Sequence, residues 1–78
     1  MKIYIRFVQL NGETLAVFMR TSAARRYDGT QWVRMSYAHM GQHGECYDGM
    51  QRRKRATREQ YMPLLNELQS IGYTVVVV

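Results

Sequence analysis

Between Thr57 and Gly72 the chain carries a helix that is signalled at both ends, and this helix constrains everything else. Thr57 stands where a side-chain oxygen caps the free N–H groups of a first turn, and Gln60 follows where a capping box is completed. Tyr61, Leu64, Leu65, Leu68 and Ile71 recur at helical spacing, which predicts one apolar stripe over about Arg58 to Ile71. Gly72 supplies the stop. Pro63 conflicts locally, because it lacks an N–H and crowds the carbonyl four residues back, so a kink or a ragged first turn is expected. A single helix of this kind has one apolar face, and the rest of the chain must form the layer it covers.

That remainder reads as strands. Residues 2–20 form a hairpin around Asn11-Gly12. A two-residue loop would set Ile5 beside Phe18 and Arg6 beside Val17, spreading apolar and charged residues over both faces. A three-residue loop, Leu10-Asn11-Gly12, instead pairs Phe7 with Leu15, Ile5 with Val17 and Ile3 with Met19, and makes one face uniformly apolar. The three-residue loop is therefore the expected register. Asp28-Gly29 marks a second turn, and Thr30 to His39 alternates as a third strand, while residues 21–26 fit strand or loop. Gly41 to Gly44 reads as a loop and Glu45 to Arg55 as a fourth strand, which Asp48-Gly49 can bend. Tyr73 to Val78 is a last strand, and its unbroken β-branched run predicts an interior place in the sheet. The order β-β-β-β-α-β predicts an α+β fold: a small antiparallel sheet of four to five strands with one amphipathic helix on one face. Tyr27-Asp28-Gly29-Thr30-Gln31 recurs in part as Tyr47-Asp48-Gly49-Met50-Gln51, which is read as reuse of Asp-Gly turn chemistry.

Seventy-eight residues make a single domain, 1–78, with room for one core. An apolar fraction of 46 % argues for a folded chain. No apolar run approaches the ~18 residues of a membrane span, and Arg6 interrupts any signal-peptide core at once. The lone Cys46 excludes an internal disulfide and fits a reducing compartment, so a cytoplasmic protein without membrane contact is expected.

Eleven Lys and Arg against six Asp and Glu leave a net charge of +5, which favours acidic partners. Four of those eleven stand together as Arg52-Arg53-Lys54-Arg55, leading straight into the helix start. The positive patch is thus joined rigidly to the packed body. As a strand this run would charge both of its sides and could only be an edge. It then either guards that edge against aggregation or contacts phosphates, helped by Arg58. A second patch lies on the hairpin face away from the helix: Tyr4, Arg6, Phe18 and Arg20, joined by Trp32 and Arg34 of the third strand. Open sheets with aromatic and basic residues interleaved suit single-stranded nucleic acid, since bases stack on rings while cations hold phosphates. The same residue types also mark packing under a loop or pairing with another copy of the chain.

Other patterns are weaker. Gly41-Gln42-His43-Gly44 matches the letters of a nucleotide-clamping GXXG loop, but its flanks read as strands rather than helices. His39, His43 and Cys46 are zinc-type ligands without a partner set, and drawn as a Cys–His nucleophile pair they lack a cleft. No catalytic residue, metal or cofactor is expected. The sequence points to a non-enzymatic binding module that contacts nucleic acid through its basic strand and aromatic–Arg face. The alternative is a protein-interaction module, a homo-oligomer or an accessory protein docking on an acidic partner.

Overall fold

A computed structural model describes residues 1–26, 28–38 and 41–78. The chain forms β1 (Lys2–Leu10), β2 (Glu13–Met19), β3 (Ala24–Arg25), β4 (Trp32–Ala38), β5 (Gln42–Tyr47), a 3-10 segment (Asp48–Arg52), α1 (Arg58–Ile71) and β6 (Thr74–Val77). This is a small α+β fold, one mostly antiparallel sheet with a single helix.

The helix signals are realised atom by atom. Thr57 Oγ1 accepts from the Gln60 N–H at 3.2 Å, and Gln60 Oε1 accepts from the Thr57 N–H at 2.8 Å, which closes the capping box. Gly72 takes φ +114°, a left-handed cap that a side chain would strain. The helix runs unbroken through Pro63. Pro63 and Glu59 are both exposed, so water can solvate the carbonyl that Pro63 leaves without an N–H. Leu64 and Leu68 are buried, and Tyr61 stacks on Phe7 with ring centroids 4.5 Å apart. Ile71, the last member of the predicted stripe, is 49 % exposed.

The hairpin corrects the expected register. Asn11 (φ +50°) and Gly12 (φ +82°) form the two-residue loop with both φ values positive, whose twist matches its strands. Ile5 faces Phe18, Phe7 faces Ala16 and Val8 faces Leu15. The three-residue choice rested on only one face being covered. In fact both faces are partly covered. Ile3, Ile5, Phe7, Ala16, Phe18 and Tyr37 pack with Leu64 and Leu68 under the helix. On the other face Val8, Leu15 and Val17 are buried against Met19, Cys46 and Met50, the last from the 3-10 segment.

Two further expectations are revised. The strand predicted over Glu45 to Arg55 instead runs Gln42–Tyr47, taking in most of the stretch read as a Gly41 to Gly44 loop, and ends where Asp48-Gly49 opens the 3-10 segment. The chain then returns to β1: the Gln9 N–H donates to Lys54 O at 2.8 Å, the Ala56 N–H donates to Phe7 O at 3.0 Å, and Arg55 stands opposite Val8. β6 is not interior. It pairs with β1 in parallel, through Lys2–Thr74 to Ile5–Val77, beside the Lys54–Ala56 contact. One edge of β1 is thus shared between two segments, and β6 closes the sheet on that side with Val77 42 % exposed. The two Asp-Gly segments also diverge. Asp28 accepts from the Thr30 N–H and hydroxyl in a turn, whereas Asp48 opens the 3-10 segment and pairs with Arg34. Tyr27 lies outside the described residues.

Candidate nucleic-acid interface

β4 is where the sheet splits. Ser36 faces Val17 of β2 and Gly44 of β5, while Val33 faces Ala24 of β3 and Tyr47 of β5. β5 therefore follows one edge of β4, and β2 and β3 share the other. β2 pairs with β4 only at Ala16–Tyr37 and Val17–Ser36. It then leaves, turned by Arg20 in the left-handed region at φ +60°, and the chain rejoins β4 only at β3. An open cleft of about 1640 Å³ spreads from this gap over the neighbouring sheet surface.

The cleft concentrates positive charge. Lys2, Arg20, Arg25, Arg26, Arg34 and Arg53 line it, six of the eleven cationic side chains, over a floor that includes Leu15, Met19 and Met50. Among the described residues Glu45 is the acidic side chain on its wall. A concavity lined mainly by one sign of charge focuses the field and draws in polyanions. Arg34 is held by Asp48 and donates to the Thr21 carbonyl at 2.6 Å, so it braces the gap rather than offering free charge. Arg26 stands 3.7 Å from Asp28. The Thr30 hydroxyl and N–H, with Arg26, hold the Asp28 carboxyl below the ordinary carboxylate range. The charges of Lys2, Arg20, Arg25 and Arg53 have no acid paired to them among the described residues. Arg53 donates through Nε to the Gln9 carbonyl at 2.9 Å, which fixes its direction.

The residues expected to form the site are dispersed by this geometry. Of the basic run, Arg53 alone lines the cleft; Arg52, Lys54 and Arg55 are exposed elsewhere, because the chain here is a 3-10 turn and a short bridge rather than one strand. Arg55 donates to the Val78 backbone oxygen at 2.5 Å, and Arg58 is exposed in the first turn of α1. Tyr4 and Arg20 do meet: the Arg20 guanidinium lies 4.2 Å from the Tyr4 ring centre, with the Lys2 ammonium at 5.8 Å. Arg6 is half-buried, and its Nε has no hydrogen-bond partner among the described residues. Phe18 touches the cleft only from the helix side and offers it almost no surface. The two-residue loop puts it opposite Ile5 on the helix side, 5 % exposed and edge-on to Tyr73. Trp32, 52 % exposed, shares a face of β4 with Arg34, and Arg25 reaches across from β3 to within 5.4 Å of its ring centre. Sequence reasoning placed Lys2 on the hairpin face without counting it in the site, and left out Arg25 and Arg26. The Arg25-Arg26 pair was the visible signal, in a stretch that fitted strand or loop equally.

A second polar group lies on the helix side. The Tyr37 hydroxyl donates to Glu67 at 3.0 Å, and burial pushes its phenol up from the ordinary value. His43 Nε2 is 3.1 Å from the Tyr73 hydroxyl. Cys46 stands three residues from His43 on the same strand, so the two point to opposite faces and cannot act as one pair. Burial pushes the Cys46 thiol up, partly offset by a hydrogen bond with Ser36. Among the described residues no three His, Cys, Asp or Glu groups gather around a point; His39 lies outside the described residues. Gly41 and Gly44 belong to the β4–β5 hairpin, Gly41 with φ +81° in the turn. None of the described helices is long and apolar enough to cross a membrane. Comparison with known protein families, curated proteins and solved structures finds nothing that matches this chain.

Proposed function

We propose that this protein is a non-enzymatic binding module that holds a nucleic-acid strand in the basic cleft through its phosphates. The observation that carries the reading is the gathering of six cationic side chains around one open concavity. The cleft is open and extended rather than enclosed, which suits a segment of polymer better than a small molecule. A reducing, cytoplasmic setting goes with this reading, given the lone thiol of Cys46. Binding of a generic oligonucleotide should weaken steeply with salt, the logarithmic slope approaching about three if four cleft cations each meet a phosphate of a single strand. No binding to DNA or RNA at about 50 mM salt would remove the proposal.

One observation favours a second reading, a protein-interaction module. β6 pairs with β1 alone, and its Thr74–Val77 run is uncharged and open at the sheet margin. Unguarded edges of this kind recruit another strand, here a second copy of the chain or an acidic partner that also meets the cleft. Sedimentation at rising concentration separates the cases: a stable 9.2 kDa species speaks against the homo-oligomer.

A further inference from the structure

Two rings near the cleft cations carry a cation over their face, and they differ in how closely it covers them. The Tyr4 ring carries the Arg20 guanidinium at 4.2 Å and the Lys2 ammonium at 5.8 Å. Its π surface is engaged within the protein. Trp32 is different. It opens β4, is 52 % exposed, and the Arg25 guanidinium over it stands further off, at 5.4 Å. Arg25 and Trp32 face each other across the β3–β4 pair, so ring and guanidinium project from the same side of the sheet. β3 is only two residues long and both are exposed, so little packing holds Arg25 over the ring. Trp32 does not itself line the cleft, but its neighbours Arg25 and Val33 do, which sets the ring beside the opening. A large aromatic surface and a displaceable guanidinium plane next to a phosphate-attracting cleft are the parts that hold an unpaired base.

Resting on the nucleic-acid reading of the cleft, we infer that Trp32 is the stacking platform for an unpaired nucleobase, so that the cleft takes single strands in preference to duplexes. A duplex keeps the faces of its bases inside its own stack and offers only phosphates and edges. A single strand offers both parts: phosphates to the cleft cations and one base to the Trp32 indole, with Arg25 moving onto the base or the adjoining phosphate. Tyr4 stays bound to Arg20 and Lys2, and its role is to hold those cations in place.

Trp32 is the only tryptophan, so intrinsic fluorescence reports on this site alone. The full chain is titrated at low salt with oligothymidylate, oligouridylate, a duplex of similar length, and inorganic polyphosphate, which has charge but no bases. In parallel, dye-labelled oligonucleotides measure affinity by anisotropy for the wild type, Trp32→Phe and Trp32→Ala. The inference expects both single strands to quench the emission by half or more, and the duplex and polyphosphate to bind with little quenching. It expects Trp32→Ala to weaken single-strand binding roughly five- to hundredfold, the range that stacking one base on an aromatic ring supports. Trp32→Phe should stay within about threefold of wild type, since it keeps a ring. Oligothymidylate and oligouridylate separate a DNA from an RNA preference, and quenching by either supports the inference. Salt-sensitive single-strand binding without quenching, and unchanged in Trp32→Ala, overturns the stacking role while leaving the cleft reading intact. Equal quenching by polyphosphate overturns it as well, because no base is needed. Absence of binding to any of the four polyanions fails the cleft reading itself and takes this inference with it. Emission that shifts with protein concentration alone, without ligand, assigns Trp32 to self-association and overturns it too.

Discussion

The two faces of the hairpin β1–β2 are made from alternating residues of the same strands, yet they have opposite characters. On the helix side Ile5, Phe7, Ala16 and Phe18 meet Leu64 and Leu68, and the buried Tyr37 hydroxyl donates to Glu67. On the other side a small cluster around Val8, Leu15 and Val17 gives way within a few residues to a cation-lined opening. Arg6, beside Val17 on this second side, keeps a buried Nε without a partner among the described residues. A closed core forms where a long amphipathic element supplies a continuous cover. The 3-10 segment covers less, with Met50 as its apolar contact. The face left over is where charge can collect, because there water still solvates it.

If that contrast is right, the largest effect of any single change belongs to the helix side. Leu68 is fully buried, so Leu68→Ala should cost about 2–5 kcal/mol, enough to unfold most of a marginal domain, as read in a denaturant melt. A loss below half a kcal/mol would mean that the helix side is no more closed than the cleft side. The converse test uses Arg25→Ala together with Arg53→Ala on the cleft side. Both residues are exposed, so stability should move by less than about 0.5 kcal/mol each, while the salt slope of nucleic-acid binding flattens by roughly one to two. Unfolding of this double variant would show that the cleft cations serve packing instead.

A smaller effect sharpens the picture at the boundary between the basic run and the helix. Thr57→Ala removes the cap that Gln60 reciprocates and should cost about 1 kcal/mol in thermal or denaturant unfolding, without changing the affinity of the cleft. The smallest concerns the turn that carries Arg26. Asp28 is depressed in the folded state, so its contribution is present above the unfolded value, near 3.8, and is lost as pH falls through the lower folded value. Thr30 amide and hydroxyl signals followed by NMR should therefore hold steady from pH 7 to about 4 and change only below it. Asp28→Asn should abolish that titration while leaving the helix side unperturbed.

How much of this was legible depended on how far apart the deciding atoms lie in the chain. The capping box needs only Thr57 and Gln60, the helix stop only Gly72, and the stripe only side chains within three turns. Asn11-Gly12 marks the hairpin, but its loop length depends on what covers the second face, which no local window contains. That difference alone moves Phe18 from the expected site into the core, since a register slip of one residue exchanges the faces of a strand. The valine run of β6 looked interior by composition, yet its neighbours are set by which segment reaches β1 first, and Lys54–Ala56 takes the adjoining stretch of that edge.

The sequence by itself determined the helix with both of its ends, the strand-rich remainder, the α+β class and the excess of positive charge. Each follows from propensity, spacing or composition within a short window, where the chain's own connectivity supplies the geometry. Only the tertiary structure decided which cations share a surface. Four consecutive basic residues looked like the site, but the turn at Asp48–Arg52 and the bridge to Val8 send three of them elsewhere. Lys2, Arg20, Arg25 and Arg53, spread over fifty residues of chain, meet instead around the gap where β2 leaves β4. Such a gathering is a property of long-range pairing, whose partners no local window contains.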